Sequence, residues 1–241
     1  PNYTPDGKGG NTLFLPIPYG DGCKITFELP DSIEPSPKYY GINYRKYPVG
    51  TRIETFSEEL VKKNRNHILK VDSILLKHPS SLNGKLLEES KTLIAKDSLL
   101  IALPEGANAL HTLEINAQVD SLKYEQVMRE LIIKIEFDGV ETVVVPLSDF
   151  SGAGMGARQS DSWFLSADGK GNVTSRWVMP YQKEATFKLV NLSDSPVKTV
   201  VKVCTDVWNW DERSLYFHTS WKQENGIHVE SNPDNESACV E

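Results

Sequence analysis

Adjacent carboxylates are the first candidates for general acid–base chemistry, in which one carboxyl group gives a proton and another accepts one. Three such pairs occur: Glu58/Glu59, Glu88/Glu89 and Asp211/Glu212. The first two pairs fall in segments that we predict to be helical, where solvated faces or helix caps are the simpler interpretation. Asp211/Glu212 lies in a predicted turn before a strand. We therefore assign no catalytic residue within this chain.

A second set of residues could bind a polar ring such as a sugar. Aromatic rings stack on the apolar faces of such ligands, and arginine or histidine donates hydrogen bonds to hydroxyl groups. The predicted ligand-binding residues are Asp149, Trp163, Arg176, Trp177 and His218. Trp163 lies in a long glycine-rich loop, residues 148–171, where exposure and binding are expected together.

Most of these candidates also have a structural interpretation. Asp149 could cap a turn before the glycine-rich loop. Trp177 is expected to alternate into a core, as is Trp221. His218 is expected to be a core histidine, with a second interpretation as the partner of a catalytic carboxylate from another segment. No Ser-His-Asp or Cys-His set follows from the order of residues.

Composition excludes several classes of protein. The chain has 241 residues, a net charge of −7 and a pI near 5.4, which argues against nucleic-acid binding and against basic membrane-surface binding. No apolar run approaches the roughly 18 residues of a membrane span. The cysteines have no metal-ligand spacing, and Cys23 and Cys204 are predicted to be small buried hydrophobes. We predict no metal and no cofactor.

Hydrophobic periodicity predicts strands, then helix, then strands. Residues 12–19, 23–29 and 40–47 read as strands. Residues 57–77 carry a helical stripe, with Thr55 and Glu58 at capping-box spacing, and a weaker helical turn is predicted at 82–93. Strands return at 99–103, 110–119, 131–137, 142–145, 175–181, 185–192, 198–208 and 215–221, and Asp138-Gly139 predicts a hairpin.

An internal repeat sets the predicted fold. Val178-Met-Pro-Tyr181 repeats Pro16-Ile-Pro-Tyr19, and each is followed by a turn and an alternating strand. The second copy has many strands before it and the first has few, so we expect upstream and downstream segments to complete the sheets. The prediction is all-β: a double jelly-roll β-sandwich with a helical linker, incomplete in this chain. Paired immunoglobulin-like sandwiches are the alternative, without the Cys…Trp…Cys spacing that would support them.

The predicted boundaries follow from these patterns. Residues 1–56 are the C-terminal part of a first jelly-roll module, and residues 57–97 are a helical linker. Residues 98–222 are a second, partial module, and residues 223–241 are a polar tail.

Three motifs then carry a resemblance to a known family. They are Val144-Val-Pro-Leu-Ser-Asp-Phe150 with Gly152, Trp177-Val-Met-Pro-Tyr181, and Leu215-Tyr-Phe-His218 with Trp221. Their order and spacing resemble glycoside hydrolase family 172, formerly domain of unknown function 2961. Residues 13–56 resemble the first jelly roll of its longer members. Ser148, Ser151 and Thr219 depart from the family pattern, which loosens any substrate assignment.

The resemblance implies a retaining glycoside hydrolase acting on α-fructofuranosides or α-arabinofuranosides, with an oligosaccharide as its ligand. It also implies a homo-oligomer, either a trimer or a multiple of a trimer. The expected location is periplasmic, at the cell surface or secreted, in a bacterium. The family's two catalytic glutamates lie in glycine-rich motifs that this sequence does not contain, so we expect them beyond residue 241. The alternative is a non-catalytic jelly-roll protein that binds carbohydrate or forms capsid-like assemblies.

Overall fold

The computed structural model describes residues 13–26, 40–78, 84–154 and 156–227. The chain divides into two compact units, Pro1–Ile74 and Leu75–Glu241. The second unit contains all the strands of the described chain, and the site residues predicted above fall within it. No helix in the described ranges is long and apolar enough to cross a membrane.

Two helices form where the stripe at 57–77 predicts one, with a break at Asn64 between them. The N-cap of the first is Ser57, whose Oγ accepts a hydrogen bond from the amide of Leu60 at 3.1 Å. The predicted capping box is therefore wrong, because the Oγ1 of Thr55 accepts from the amide of Gly20 instead, at 3.1 Å. The described residues form the helices α1 (Glu58–Lys63), α2 (Arg65–Leu75), α3 (Tyr124–Glu130) and α4 (Leu147–Phe150), with a 3-10 turn at Ser121–Lys123.

The predicted strands of the first unit are absent from its described residues, 13–26 and 40–56. Alternating apolar residues make a strand only where a neighbouring strand and a covered face exist. Here Phe14 and Tyr40 are 79% and 86% exposed, and among the backbone bonds of these stretches is one from Phe56 N to Pro18 O at 2.8 Å. Residues 12 and 27–29 lie outside the described ranges. Cys23 is exposed, so its predicted burial is wrong.

Eleven strands are described in the second unit. They are β1 (Lys85–Leu93), β2 (Ser98–Ala102), β3 (Asn108–Gln118), β4 (Leu131–Phe137), β5 (Val140–Pro146), β6 (Ser160–Asp161), β7 (Leu165–Ala167), β8 (Asn172–Ser175), β9 (Met179–Tyr181), β10 (Ala185–Asn191) and β11 (Val197–Val207). The helical turn predicted at 82–93 is wrong over β1, because that segment gains nine backbone pairings with β11. Tertiary pairing thus overrides a weak local helical preference.

The strands form two antiparallel sheets, ordered β1-β11-β3-β8-β7-β6 and β2-β10-β4-β5, with β9 also paired to β3. Without the short strands β6, β7 and β9, the eight main strands lie in the order first-eighth-third-sixth and second-seventh-fourth-fifth. This is the order of a jelly roll, the two-sheet sandwich of two Greek keys. The all-β prediction is confirmed, and the double jelly roll remains a prediction. Residues Lys85 to Val207 supply these eight strands, and the predicted module boundaries stay predictions.

One hydrophobic core lies between the two sheets. Strand β4 alternates strictly, burying Leu131, Ile133, Ile135 and Phe137. Strands β3, β10 and β11 contribute their own inward rows to the same cluster. Phe137 also stacks on Tyr181 of the other sheet, with ring centroids 6.2 Å apart. Cys204 is only half-buried, because it alternates with the buried residues Val203 and Thr205 on β11, so its predicted burial in a core is wrong.

The predicted Asp138-Gly139 hairpin is confirmed, with positive φ angles of 51° and 81° at the two residues. The carboxylate of Asp138 accepts the amides of Gln182, Lys183 and Glu184 and the hydroxyl of Tyr216, the last at 2.6 Å. Partial burial alone would raise the pKa of Asp138, but the hydrogen bonds from Tyr216 and the three amides outweigh it and lower the pKa. Burial and the Asp138 charge raise the pKa of Tyr181 to about 12.

Residues 215–221 form no regular strand, contrary to the prediction, but they follow the free edge of β5. The amide of Thr219 donates to Thr142 O at 3.0 Å, and Thr142 Oγ1 donates to Phe217 O at 2.7 Å. A third bond runs from Val144 N to Thr219 Oγ1. These bonds cover an edge that would otherwise offer unpaired backbone groups.

Replacing Asp138 with alanine should lower the free energy of unfolding by about 2 kcal/mol, because four donors lose their shared acceptor. Asp138→Asn should cost less, since asparagine tolerates positive φ and keeps one acceptor oxygen. Urea denaturation measures both. The folded-state pKa is lowered, so this contribution is present above the unfolded pKa of about 4 and fades as pH falls below it. Equal stability of wild type and Asp138→Ala at pH 7 would show that the four hydrogen bonds to Asp138 do not stabilise the fold.

Candidate functional site

An aromatic ledge lies where β7 begins and the antiparallel strand β8 ends. The rings of Phe164 and Trp177 stack with centroids 4.1 Å apart and planes at 7°, and the ring of Phe217 packs against Trp177 at 5.9 Å and 42°. Phe164 is 40% exposed, and Trp177 and Phe217 are half-buried against the core. We call these three residues the ledge.

The pairing of β7 with β8 positions the ledge. The register places Leu165 opposite Ser175, and the amide of Arg176 extends the ladder by donating to Phe164 O at 2.7 Å. Phe164 and Trp177 therefore flank the same end of the two strands. Phe217 reaches them from the segment along the edge of β5, where its carbonyl is held by Thr142.

Arg176 stands beside the ledge with an incompletely paired guanidinium. Its Nη2 donates to Ser166 Oγ at 3.1 Å. Its Nη1 is buried and has no hydrogen-bond partner among the described residues. A buried donor without a partner is costly, and such groups are common where a water or ligand completes the network.

Asp149 belongs to a different set of contacts. Both of its carboxylate oxygens accept from Arg129 Nη1, at 3.0 and 2.9 Å, and one also accepts from Ser148 Oγ at 2.8 Å. The guanidinium of Arg129 in turn lies 5.4 Å from the ring centre of Trp221. The predicted turn cap is thus an ion pair on α4, and Asp149 is engaged by protein atoms.

The remaining predicted residues meet mixed outcomes. His218 is exposed, so its interpretation as a core histidine is wrong, and its role beside a catalytic carboxylate stays a prediction. Trp163, in the turn between β6 and β7, is half-buried, whereas the prediction expected it to be exposed. Trp221 is 38% exposed, so its predicted place in the core is wrong, while Trp177 packs on the core with one face. Arg176 and Trp177, which are consecutive in the sequence, lie at the ledge. Asp149 belongs instead to the ion pair with Arg129.

Sequence reasoning missed Phe164, Phe217 and Arg129. Phe164 and Phe217 each adjoin a predicted site residue, and their contribution depends on the pairing of distant segments. Arg129 lies in α3, which the strand-dominated pattern before β4 did not predict. Its two buried residues, Val127 and Met128, are adjacent and do not form the i, i+3 or i+4 pattern that predicts a helix.

Four carboxyl groups in the described ranges have lowered pKa values, which bears on acid–base chemistry. The hydrogen bond from Lys91 lowers the pKa of Asp97, and that from Arg213 lowers the pKa of Asp211. For Asp138 and Asp168, burial opposes the shift and hydrogen bonds outweigh it. A general acid needs a raised pKa, so none of these four is tuned for that role. The described part of the chain also lacks a cluster of three or more residues able to hold a metal.

Comparison with known families gives two matches. Residues 1–64 match the GH172 first beta-sandwich domain, and residues 83–203 match the GH172 domain-like model. The second match alone spans half of the chain. The chain belongs to glycoside hydrolase family 172. Asp149, Phe164, Arg176 and Trp177 fall within the second matched region, whereas Phe217 and His218 follow it. No curated protein matches the chain.

Replacing Arg129 with methionine should lower the free energy of unfolding by about 1–2 kcal/mol, because the half-buried Asp149 loses its counterion and Trp221 loses its cationic neighbour. The figure is below that of a fully buried pair, since both side chains are about one quarter exposed. Lys62→Met is the matched control, since it breaks an ion pair that is almost fully exposed and should change stability by less than about 0.5 kcal/mol. If urea denaturation shows the same loss of stability for Arg129→Met and Lys62→Met, the contacts of Arg129 with Asp149 and Trp221 do not stabilise the fold as proposed.

Proposed function

We propose that this family 172 protein binds α-arabinofuranosides or α-fructofuranosides at the ledge, as the sugar-recognition part of a retaining glycoside hydrolase. The observation that carries the proposal is the stacked pair Phe164–Trp177 beside the unsatisfied guanidinium of Arg176. An apolar surface and a donor at its edge are the two features that a sugar ring requires. Family membership supports glycoside hydrolase chemistry.

Each group has a distinct part in this binding. The exposed face of Phe164 contacts the C–H face of the furanose ring, and Trp177 stiffens that surface from behind. Arg176 donates to a ring hydroxyl or to the water that bridges it. His218, exposed beside Phe217, supplies a further donor or acceptor at the rim. Asp149 acts indirectly, by holding Arg129 and with it the segment that carries Trp221.

Hydrolysis with retention needs two carboxyl groups about 5 Å apart, one nucleophile and one general acid/base. The lowered pKa values of Asp97, Asp138, Asp168 and Asp211 argue against these groups as the general acid, and the family's glutamate motifs are not in this sequence. We therefore assign both roles to glutamates in polypeptide beyond residue 241, in a homo-oligomer exported by a bacterium. In this account the 241 residues bind the sugar and do not cleave it.

The second candidate function is a non-catalytic carbohydrate-binding or capsid-like assembly module. The ledge is the observation that favours it, because aromatic stacking binds a sugar without any proton donor. The two candidate functions make different demands on the polypeptide beyond residue 241. A hydrolase requires two glutamates there that act on the sugar held at the ledge, and a binding module requires none.

Phe164→Ala should weaken binding of methyl α-D-arabinofuranoside about fivefold, since stacking on one aromatic ring contributes on the order of 1 kcal/mol. NMR titration measures the dissociation constant. Tyr44→Ala is the control, because Tyr44 is an exposed aromatic residue of the other unit. A ledge variant that binds as the wild type does would overturn the placement of the sugar.

The isolated 241-residue chain should hydrolyse no aryl α-arabinofuranoside or α-fructofuranoside, while a longer polypeptide carrying the two glutamates should. A chromogenic release assay compares the two. Hydrolysis by the isolated chain would show that the carboxylates are within it. Binding without hydrolysis by both polypeptides would favour the binding module.

A further inference from the structure

A polar concavity lies on the outer face of β6, β7 and β8, next to the ledge. It encloses about 260 Å³. Its lining consists of Gln159, Ser160, Asp161, Ser166, Ala167, Asp168, Asn172 and Thr174. We call it the basin. Seven of these eight residues carry polar side chains able to donate or accept hydrogen bonds.

The strand register explains why these side chains converge. Ser166 lies opposite Thr174 on the paired strands β7 and β8, and their neighbours Ala167 and Val173 are buried in the core. Alternation therefore turns Ser166 and Thr174 to the outer face. From the sequence, most of this region was predicted to be a glycine-rich loop. The basin residues are brought side by side only by the pairing of the short strands β6, β7 and β8.

The floor of the basin is rigid. Asp168 accepts the amides of Lys170 and Asn172 at 2.7 and 3.0 Å and also the side-chain amide of Asn172. Asn172 Oδ1 accepts from Asn116 at 2.6 Å. On one wall, the carboxylate of Asp161 contacts His78 Nε2 at 2.9 Å. Preorganised polar groups cost little entropy when a ligand binds.

Other basin groups are available to a ligand. No side-chain hydrogen bond within the described chain engages Gln159, which is exposed, or the hydroxyl of Thr174. The volume is below the roughly 300–1,000 Å³ of pockets for drug-sized ligands, which limits the occupant to about one small ring. A lining of amides, hydroxyls and carboxylates matches the alternating donors and acceptors of a sugar.

Arg176 joins the basin to the ledge. Its Nη2 bonds to Ser166, a basin residue, and its backbone amide bonds to Phe164, a ledge residue. Phe164 and Ser166 are two residues apart on one extended segment, about 6–7 Å. The basin is therefore placed to hold the ring next to the one that stacks on the ledge.

We propose that the basin is a second sugar subsite, contiguous with the ledge through Arg176, so that the ligand is an oligosaccharide of at least two rings. This inference rests on the proposed function and deepens it. The ledge supplies apolar contact to one ring, and the basin supplies hydrogen bonds to the next.

The experiment is an NMR and calorimetric titration of the 241-residue chain with methyl α-D-arabinofuranoside and with the α-linked di- and trisaccharides. The double variant Gln159→Ala/Thr174→Val removes two ligand-facing polar groups and no described intramolecular side-chain bond. Thr186→Val, on a half-buried position of the other sheet, is the matched control. Wild type and the control should bind the disaccharide at least fivefold more tightly than the single ring.

In the double variant that gain should vanish while affinity for the single ring stays unchanged. Phe164→Ala should weaken all three ligands. Single-ring binding without any gain from a second ring in the wild type would overturn the basin and leave the ledge intact. Equal gains in the wild type and the double variant would do the same. Failure of all three ligands to bind would overturn the proposed function and the basin together.

Discussion

The apolar seam between the two sheets is the constraint on which the rest of this unit depends. Most main strands bury alternate residues in it, and β4 does so without exception from Leu131 to Phe137, whereas β1 buries only Leu93 at its end. Burial of these side chains is the largest favourable term available to such a domain. The residues free for ligand contact are consequently those on the outer faces and at strand ends. The ledge occupies a strand end, and the basin occupies an outer face.

The segment after β11 links that core to the proposed site. It is tied at three successive points: Tyr216 to the Asp138 turn, Thr219 to the edge of β5, and Trp221 to Arg129. Between the first two points Phe217 completes the ledge. Stability and ligand contact are thus coupled here, because releasing the segment would remove one wall of the aromatic surface. Asp138 and Arg129 therefore bear on the proposed site by holding this segment in position.

Much of the fold could be predicted from the sequence where local chemistry and tertiary structure agree. The Asp138-Gly139 hairpin and the strands around it are examples, since positive φ, alternation and burial all favour one result. The segment Lys85–Leu93 is the opposite case, in which apolar spacing favoured helix and pairing with β11 decided otherwise. The extended stretches of the first unit show that alternation alone does not produce a ladder without a partner.

The site was predictable by residue type more than by geometry. Arg176 and Trp177 were chosen by residue type, since aromatic rings stack on sugars and arginine donates hydrogen bonds to hydroxyl groups. Phe164 and Phe217 were not, because stacking between residues 13 and 40 positions from Trp177 depends on sheet order. Asp149 was identified for its place before a glycine-rich loop, yet its partner Arg129 comes from a helix that lacks a sequence signal. Basin residues such as Thr174 become a site only through strand register.

The most direct test of the account is an indole NMR titration of the 241-residue chain with an α-arabinofuranosyl disaccharide. The chain has five tryptophans, each with its own Nε1–H resonance. The account predicts that Trp177, and to a smaller degree its loop neighbour Trp163, shift on titration, while Trp208 and Trp210 do not. Saturable shifts confined to Trp208, Trp210 or Trp221, with Trp177 unmoved, would contradict it.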